Sequence, residues 1–502
     1  MKATLQNWQS WDIRITAVIL SCLFSLIVIA SHPIPNDDAF SYLKAADLYN
    51  QSGLEAMLSA YGWYGYSALI AFTDSFLPLD TLASAHLLNM LSCALLTWAF
   101  ITLCAECHHG ERIPFFAAAI ILVYPTINEM RYELIRDFFY WACCLSALIH
   151  LIRFHRSGHW MNAVGWMLAM ITAVFFRLEG LLLLALSPFA LLMSGKDTMK
   201  QRLYKLMPLG ILGIVGLTGA LLVFSLAGIH LVDVFRFAYR WYLPLLTDFT
   251  QTILGAADSS NLSYHLSSQL APFTGKGLLV LLFGVLYSVL ANLADALGNG
   301  LAVLTLYWAY RYKTQPEESA RWPWLFFLGG SLFTLLLFVC IMQFLTSRYA
   351  VMSALMVLVL LPRYLDQLYV SARAQLRLPL FNKLFAAALF YFTVDSLVSF
   401  GYSKQYIEDA IDWTQSNVPA DSMVQTNSYA LAYFTGLVSD YDQVETDPLI
   451  TLGTTAGKHF LILALSHRDA EARELASMQA GLQEVAHFAN KRNDAIVIYR
   501  IN

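Results

Sequence analysis

Two adjacent carboxylates, Asp37 and Asp38, stand in the stretch Pro33-Ile34-Pro35-Asn36-Asp37-Asp38-Ala39-Phe40, directly after the first apolar run. Neighbouring carboxylates at a membrane surface repel one another and lose solvation. The pair therefore calls for a cation, a phosphate-bearing ligand nearby, or a reaction that needs a base. The same residues also suit a solvated turn in which Asp38 caps a helix beginning at Ala39. A second charged motif, Arg131-Tyr132-Glu133-Leu134-Ile135-Arg136-Asp137, falls in a short turn between two apolar runs. Here Asp137 suits substrate hydroxyls or a cation. The arginines suit phosphate, which guanidinium binds through paired hydrogen bonds. The structural alternative is a salt-bridge cluster that pins the turn. Arg177-Leu178-Glu179-Gly180 and Ser347-Arg348-Tyr349 interrupt apolar sequence in the same way. The first suits phosphate binding or a self-paired helix turn, the second phosphate binding or a snorkelling arginine.

The elements that must position these residues are membrane helices. The chain has 502 residues, 58% hydrophobic and 13% charged, which lies outside the range of soluble domains. Apolar runs near the ~20 residues needed to cross a bilayer recur at 13–31, 84–104, 114–127, 138–153, 162–176, 180–194, 206–228, 276–310, 324–345, 349–362 and 382–400. The expected fold is a polytopic α-helical membrane protein with about 11 transmembrane helices. The 276–310 stretch is too long for one span and is taken as one span with an interfacial extension. The first run lacks an A-x-A cleavage signal before Asp37 and reads as an uncleaved span. All seven cysteines lie in or beside apolar runs, which argues against a disulfide framework. No basic tail or patch points to nucleic acid.

Lysine and arginine set the orientation. Arg112, Arg153, Arg156, Lys196, Arg202, Arg311, Arg363 and Arg373 fall in alternate loops, which places those loops and the N-terminus in the cytoplasm. The acid pair and everything beyond about residue 400 then face outward. Arg131, Arg136, Arg177, Arg236, Arg240 and Arg348 lie on that outer side against the rule. Arg131, Arg136, Arg177 and Arg348 cluster at short outer loops or span ends, and such a convergent set is what a phosphate-bearing ligand requires. Three outer segments are long enough to build a site: 32–83, about 229–275, and 401–502. The last reads as a small extracytoplasmic α/β domain, with helices at Ser403–Asn417 and Asp469–Gln479 and strands at Ser422–Thr426, Phe460–Leu465 and Ala495–Arg500. The expected division is a catalytic membrane domain over 1–400 and this domain over 401–502.

Other motifs carry weaker signals. Asn292, Asp295 and Asn299 make a polar stripe on one helix, suited to a ligand, to packing or to a helix break. Cys104-Ala105-Glu106-Cys107-His108 matches a haem-attachment pattern at a cytoplasmic span end, where a buried cysteine pair is the commoner reading; zinc with His109 is no stronger. The aromatic run Tyr61-Gly62-Trp63-Tyr64-Gly65-Tyr66 suits sugar stacking or an interfacial belt. Asp440-Tyr441-Asp442 reads as a loop.

Taken together, the acid pair after the first span, the Arg131…Arg136-Asp137 turn, Arg177-Leu178-Glu179-Gly180 and Arg348-Tyr349 resemble the GT-C glycosyltransferases. In layout they are similar to the protein O-mannosyltransferases and the lipid A aminoarabinose transferases. The stretch Trp413…Asn417-Val418-Pro419…Ala432-Tyr433-Phe434-Thr435-Gly436 resembles the outer domain such enzymes carry. The resemblance implies inverting transfer of a sugar from a polyprenyl-phosphate carrier to an acceptor glycolipid, glycan or protein, at the outer face of a bacterial inner (plasma) membrane. It implies Asp37 as general base, Asp38 orienting it or sharing the acceptor, and Asp137 at a second acidic position. Arg131, Arg136, Arg177 and Arg348 then hold the carrier phosphate, and Glu133, Glu179, Tyr349, Tyr61 and Trp63 bind substrate. A divalent cation stays open, because some relatives use one and others do not. Leu178 stands where many relatives have proline. The alternatives are an O-antigen-ligase-like transferase of preassembled glycans and a transporter or flippase of lipid-linked sugars. The latter should show repeated halves, which the sequence lacks.

Overall fold

A computed structural model of the chain describes residues 12–60, 64–193, 198–226, 277–312, 315–342, 344–397, 404–438, 444–455, 457–479 and 481–501, with isolated positions between 239 and 254. Tyr61 and Trp63, nearly all of the 229–275 segment and Asp440-Tyr441-Asp442 lie outside the described residues.

The first part of the chain is helical throughout. In order come α1 (Ile13–Ser31), α2 (Asp37–Ser52), α3 (Leu54–Ala60), α4 (Tyr64–Phe76), α5 (Thr81–Cys107), α6 (Ile113–Leu122), α7 (Pro125–Glu129), α8 (Asp137–Ser157), α9 (Trp160–Phe176) and α10 (Gly180–Leu186), which runs into a 3-10 turn at Ser187–Met193. Then follow α11 (Met199–Leu226), α12 (Gly277–Leu297), α13 (Asn299–Tyr312), α14 (Glu318–Met342), α15 (Ser347–Leu358), α16 (Leu361–Ala374) and α17 (Leu378–Leu397). A helix lies at each expected span, and seven helical stretches among the described residues are long and apolar enough to cross a membrane. The chain is thus a polytopic α-helical membrane protein. Apolar side chains such as Leu222, Phe283 and Phe390 stand exposed on the outside of the bundle, as a lipid-facing surface requires.

Local signals account for the helix ends. Asp12 caps α1 by accepting from Arg14 N at 3.0 Å, and Asp80 caps α5 by accepting from Ala83 N at 2.6 Å. Gly158 ends α8 in the left-handed region at φ 65°, which glycine enters without a Cβ clash. The expectation that Asp38 caps a helix from Ala39 is corrected: the helix starts at Asp37 and Asn36 is its cap residue. The Asn36 side chain is turned elsewhere, and its Oδ1 accepts from Leu134 N at 3.0 Å. Gly298, at φ 75°, separates α12 from α13. The 276–310 stretch is therefore two helices, and Asn292, Asp295 and Asn299 do not share one continuous helix. The carbonyl of Ala296 freed by this break accepts from Tyr124 Oη and from Thr126 Oγ1, the latter at 2.9 Å. Backbone groups at a break inside a bilayer need such internal partners.

The C-terminal unit comprises α18 (Gln405–Asn417), β1 (Val424–Thr426), α19 (Tyr429–Thr435), α20 (Pro448–Gly453), β2 (Phe460–Leu465), α21 (Ala470–Met478), β3 (Leu482–Ala489) and β4 (Ala495–Ile501). The sheet order is β1-β2-β4-β3, with β1 and β2 parallel and the other pairs antiparallel. Alternation along the strands gives the sheet two buried faces. Ile462, Ile496 and Ile498 join the large core that continues into the helix bundle. Leu461, Leu463 and Val497 form a second core with Ala472 and Ala476 of α21.

Candidate active site at one end of the helix bundle

Four segments far apart in sequence deliver charged side chains to one place. Asp137 opens α8, in the first turn, where the helix N-terminus favours negative charge. Arg177 closes α9, in an extended conformation that turns the chain back into α10. Arg348 opens α15, and Asp38 lies in the first turn of α2. Arg177 Nη1 donates to Asp137 Oδ1. Its Nη2 donates to Glu179 Oε1 at 2.6 Å, and its Nε to Oε2 at 3.4 Å. Arg348 Nη1 donates to Asp38 Oδ2 at 3.1 Å, across 310 residues of sequence. Its Nε lies 3.9 Å from Asp137 Oδ2. The Tyr349 ring lies 4.8 Å from the Arg177 guanidinium and 5.4 Å from that of Arg348, within cation–π range of both.

The group grades from floor to mouth. Side-chain exposure is 3% for Asp137, 6% for Arg177, 21% for Arg348 and 51% for Asp38. A small cavity is lined by Asp137, Tyr140, Arg177, Glu179, Thr334 and Tyr349. Hydrogen-bonding capacity differs between the two arginines. Arg177 is occupied by two carboxylates, whereas Arg348 Nε is buried with no hydrogen-bond partner. An oxyanion reaching this charged group meets a donor on Arg348 and the charge of Arg177.

Asp37 stands beside this group, exposed at the mouth. The surrounding protein raises its pKa above the ordinary carboxylate value by desolvation; Lys404 opposes the rise and Asp38 adds to it. Glu133 is pushed up to about 7 by burial, with Asp137 and Asp38 reinforcing the shift and Arg348 and Lys404 opposing it. Arg136 caps α8 immediately before Asp137, and its charge bears on both Asp137 and Glu179.

Arg131 is a correction to the expected phosphate-binding set. It is fully buried and turned into the bundle. Its Nε donates to Asn128 Oδ1 at 2.7 Å, and its Nη1 donates to Ser21 O at 3.0 Å and to Ser25 Oγ at 2.8 Å. Its own carbonyl accepts from Asn89 Nδ2 at 2.9 Å. Arg131 thus ties α1, α5 and α7 together behind the turn. Cys104 and Cys107 are buried free thiols, and His108 Nε2 lies 3.1 Å from Val359 O. Among the described residues, no three of His, Cys, Asp and Glu gather into a set that could hold a metal ion.

Sequence reasoning missed Asn36, Tyr140 and Lys404. Asn36 was legible in principle, as a helix-cap residue beside an acid pair. Lys404, alone in Tyr402-Ser403-Lys404-Gln405, carries no local signal.

No protein-family profile matches the chain, and no curated protein matches it. Solved structures do. The Archaeoglobus fulgidus oligosaccharyltransferase in complex with Zn and sulfate superposes with a TM-score of 0.54 at 12% identity, covering 96% of this chain and 72% of that one. The same organism's oligosaccharyltransferase AglB, in complex with an inhibitory peptide and a dolichol-phosphate, gives 0.52 at 12% identity over 92% of this chain and 70% of that one. ArnT from Cupriavidus metallidurans in the apo state aligns over 99% of this chain and 98% of that one, at 0.45 and 12% identity. Over nearly its whole length the chain thus shares the fold of the oligosaccharyltransferase structures.

Proposed function

We propose that this chain is an inverting glycosyltransferase that moves a sugar from a polyprenyl-phosphate carrier to an acceptor at the outer face of the membrane. The observation that carries the reading is the gathering of Asp38, Asp137, Arg177 and Arg348, from four separate segments, into one charged group whose inner members Asp137 and Arg177 line a cavity. Positive charge held in a low-dielectric site is what a departing phosphate needs. A carboxylate at the mouth is what an attacking hydroxyl needs.

In this reading Asp37 takes the proton of the acceptor hydroxyl. The acceptor oxygen bonds to the anomeric carbon as the bond from that carbon to the phosphate oxygen breaks. The electron pair leaves with the polyprenyl phosphate, and a single displacement inverts the anomeric centre. Arg348 donates to the leaving phosphate and Arg177 adds its charge. Asp38 fixes Arg348 and borders the acceptor, and Asp137 anchors both arginines. Glu133, Glu179 and Tyr349 line the approach. The membrane unit over 1–400 is catalytic, and the unit over 401–502 lies outside, with the N-terminus in the cytoplasm of a bacterial inner membrane.

The test is an assay of the purified protein in vesicles with labelled polyprenyl-phosphate sugars and candidate hydroxyl acceptors. The expected result is transfer with inverted linkage. Movement of the labelled lipid between leaflets without sugar release makes the chain a flippase. Failure with every monosaccharide carrier, alongside transfer from a preassembled glycan, favours the ligase alternative.

A further inference from the structure

The C-terminal unit reaches the acid pair in two places. Phe40, two residues beyond Asp38 and fully buried, packs against Tyr433 and Phe434 of α19, with ring centroids 5.5 and 6.0 Å apart. Lys404, the cap residue of α18, places its Nζ 5.5 Å from the centre of the Tyr132 ring. Tyr132 in turn stacks on His32, with centroids 4.8 Å apart. His32 closes α1 just before the acid pair, and Tyr132 adjoins Glu133. The ammonium therefore sits where the two acidic motifs meet, a junction also tied by the bond from Leu134 N to Asn36 Oδ1.

The charges around it are unequal. Asp37 is faced by Lys404 and Asp38. Glu133 is faced by Arg348, Asp137, Lys404 and Asp38. Among the described residues, Lys404 is the cation that bears on Asp37, and it comes from the other unit of the chain.

We infer that Lys404 is a positioning residue of the transfer site: lodged over Tyr132 where the two acidic motifs meet, its ammonium supplies positive charge beside Asp37, so that the C-terminal unit completes the site. This inference rests on the glycosyl-transfer reading above. Desolvation by the surrounding protein and the charge of Asp38 already favour the protonated form of Asp37, and Lys404 opposes them. Without the ammonium, Asp37 gives up its proton at higher pH, and less of it can act as a base near neutrality.

Lys404→Met keeps an unbranched side chain at this position and removes the charge. The full-length variant is expected to shift the acid limb of the kcat/KM–pH profile upward by roughly half a pH unit, the size of one exposed charge at this range. Lys404→Arg is expected to restore the limb. A residue that merely latches the two units together lowers the melting temperature and leaves the limb in place, and that result overturns the inference. So does a shift that arginine fails to reverse. Infrared titration of the carboxyl groups, wild type against Lys404→Met, reads the same ionisation without turnover. If wild type transfers no sugar, the functional reading fails by itself, and an unshifted infrared titration rejects the role of Lys404 separately. Where Lys404→Met does not fold, Lys404→Gln serves in both measurements.

Discussion

Both ends of α8 carry arginine–carboxylate groups, and they differ in how closely those groups are closed. At the C-terminal end, Arg153 and Arg156 meet Glu106 at 2.7 and 2.6 Å. Arg156 also reaches Glu317 at 3.4 Å, and His109 meets that carboxylate at 2.7 Å. Nearby, Arg112 and Arg363 share Asp366 at 2.8 and 3.2 Å. Glu106 and Asp366 are each claimed by two arginines, and Glu317 by Arg156 and His109. At the N-terminal end, Arg348 divides itself between Asp38 at 3.1 Å and Asp137 at 3.9 Å, and its Nε makes no hydrogen bond. Asp37 stands open at the mouth. The first arrangement staples helices. The second keeps charge in reserve beside a cavity, which costs stability unless a ligand or a reaction uses it.

The comparison breaks most sharply at Asp37. Asp37→Asn is expected to lower transfer by about 10²–10⁴-fold, the usual contribution of a general base. Folding and membrane insertion should stay normal, since the side chain is exposed. Initial rates beside a thermal melt check this, and near-wild-type turnover removes Asp37 from the role. Arg348→Ala comes next. Loss of a charge-assisted donor is expected to weaken carrier binding by roughly 10–100-fold, with the acceptor KM little changed; equal loss for both substrates contradicts a phosphate role.

Glu133 gives a smaller and graded effect. With its pKa pushed up to about 7, it is neutral below that pH and negative above it. The negative form stands near Arg348, so the carrier KM is expected to rise severalfold as pH climbs through about 7. Glu133→Gln should flatten that rise, as a KM–pH series would show. The smallest effect belongs to the other end. Arg156→Ala should cost about 1 kcal/mol or less, read as a slightly lower melting temperature, with turnover per folded molecule unchanged. A large loss of turnover there makes the stapled end part of the mechanism as well.

Much of the architecture was legible in the residues. Pro33 and Pro35 end the first span, and the apolar runs coincide with helices. Three of the four strands follow from short runs rich in apolar and β-branched residues, at Val424–Thr426, Phe460–Leu465 and Ala495–Ile501. The fourth, Leu482–Ala489, escaped because a bulge between Glu484 and Ala486 breaks its period of two. Gly298 escaped for a related reason: one glycine within a long apolar run signals a break only when φ turns positive, and hydropathy carries no φ.

Composition, the lengths of the apolar runs and the placement of charge at their ends were determined by the sequence alone, because transfer free energy and turn chemistry act over a few residues. Which arginine serves which purpose was decided only by tertiary structure. Arg131 and Arg348 look alike as outer-side cations at span ends, yet one is buried among Ser21, Ser25 and Asn128 and the other spans Asp38 and Asp137. The direction of a guanidinium depends on how its helix is rotated and what packs against it. Those quantities are set by segments hundreds of residues away, as the placing of Lys404 over Tyr132 also shows.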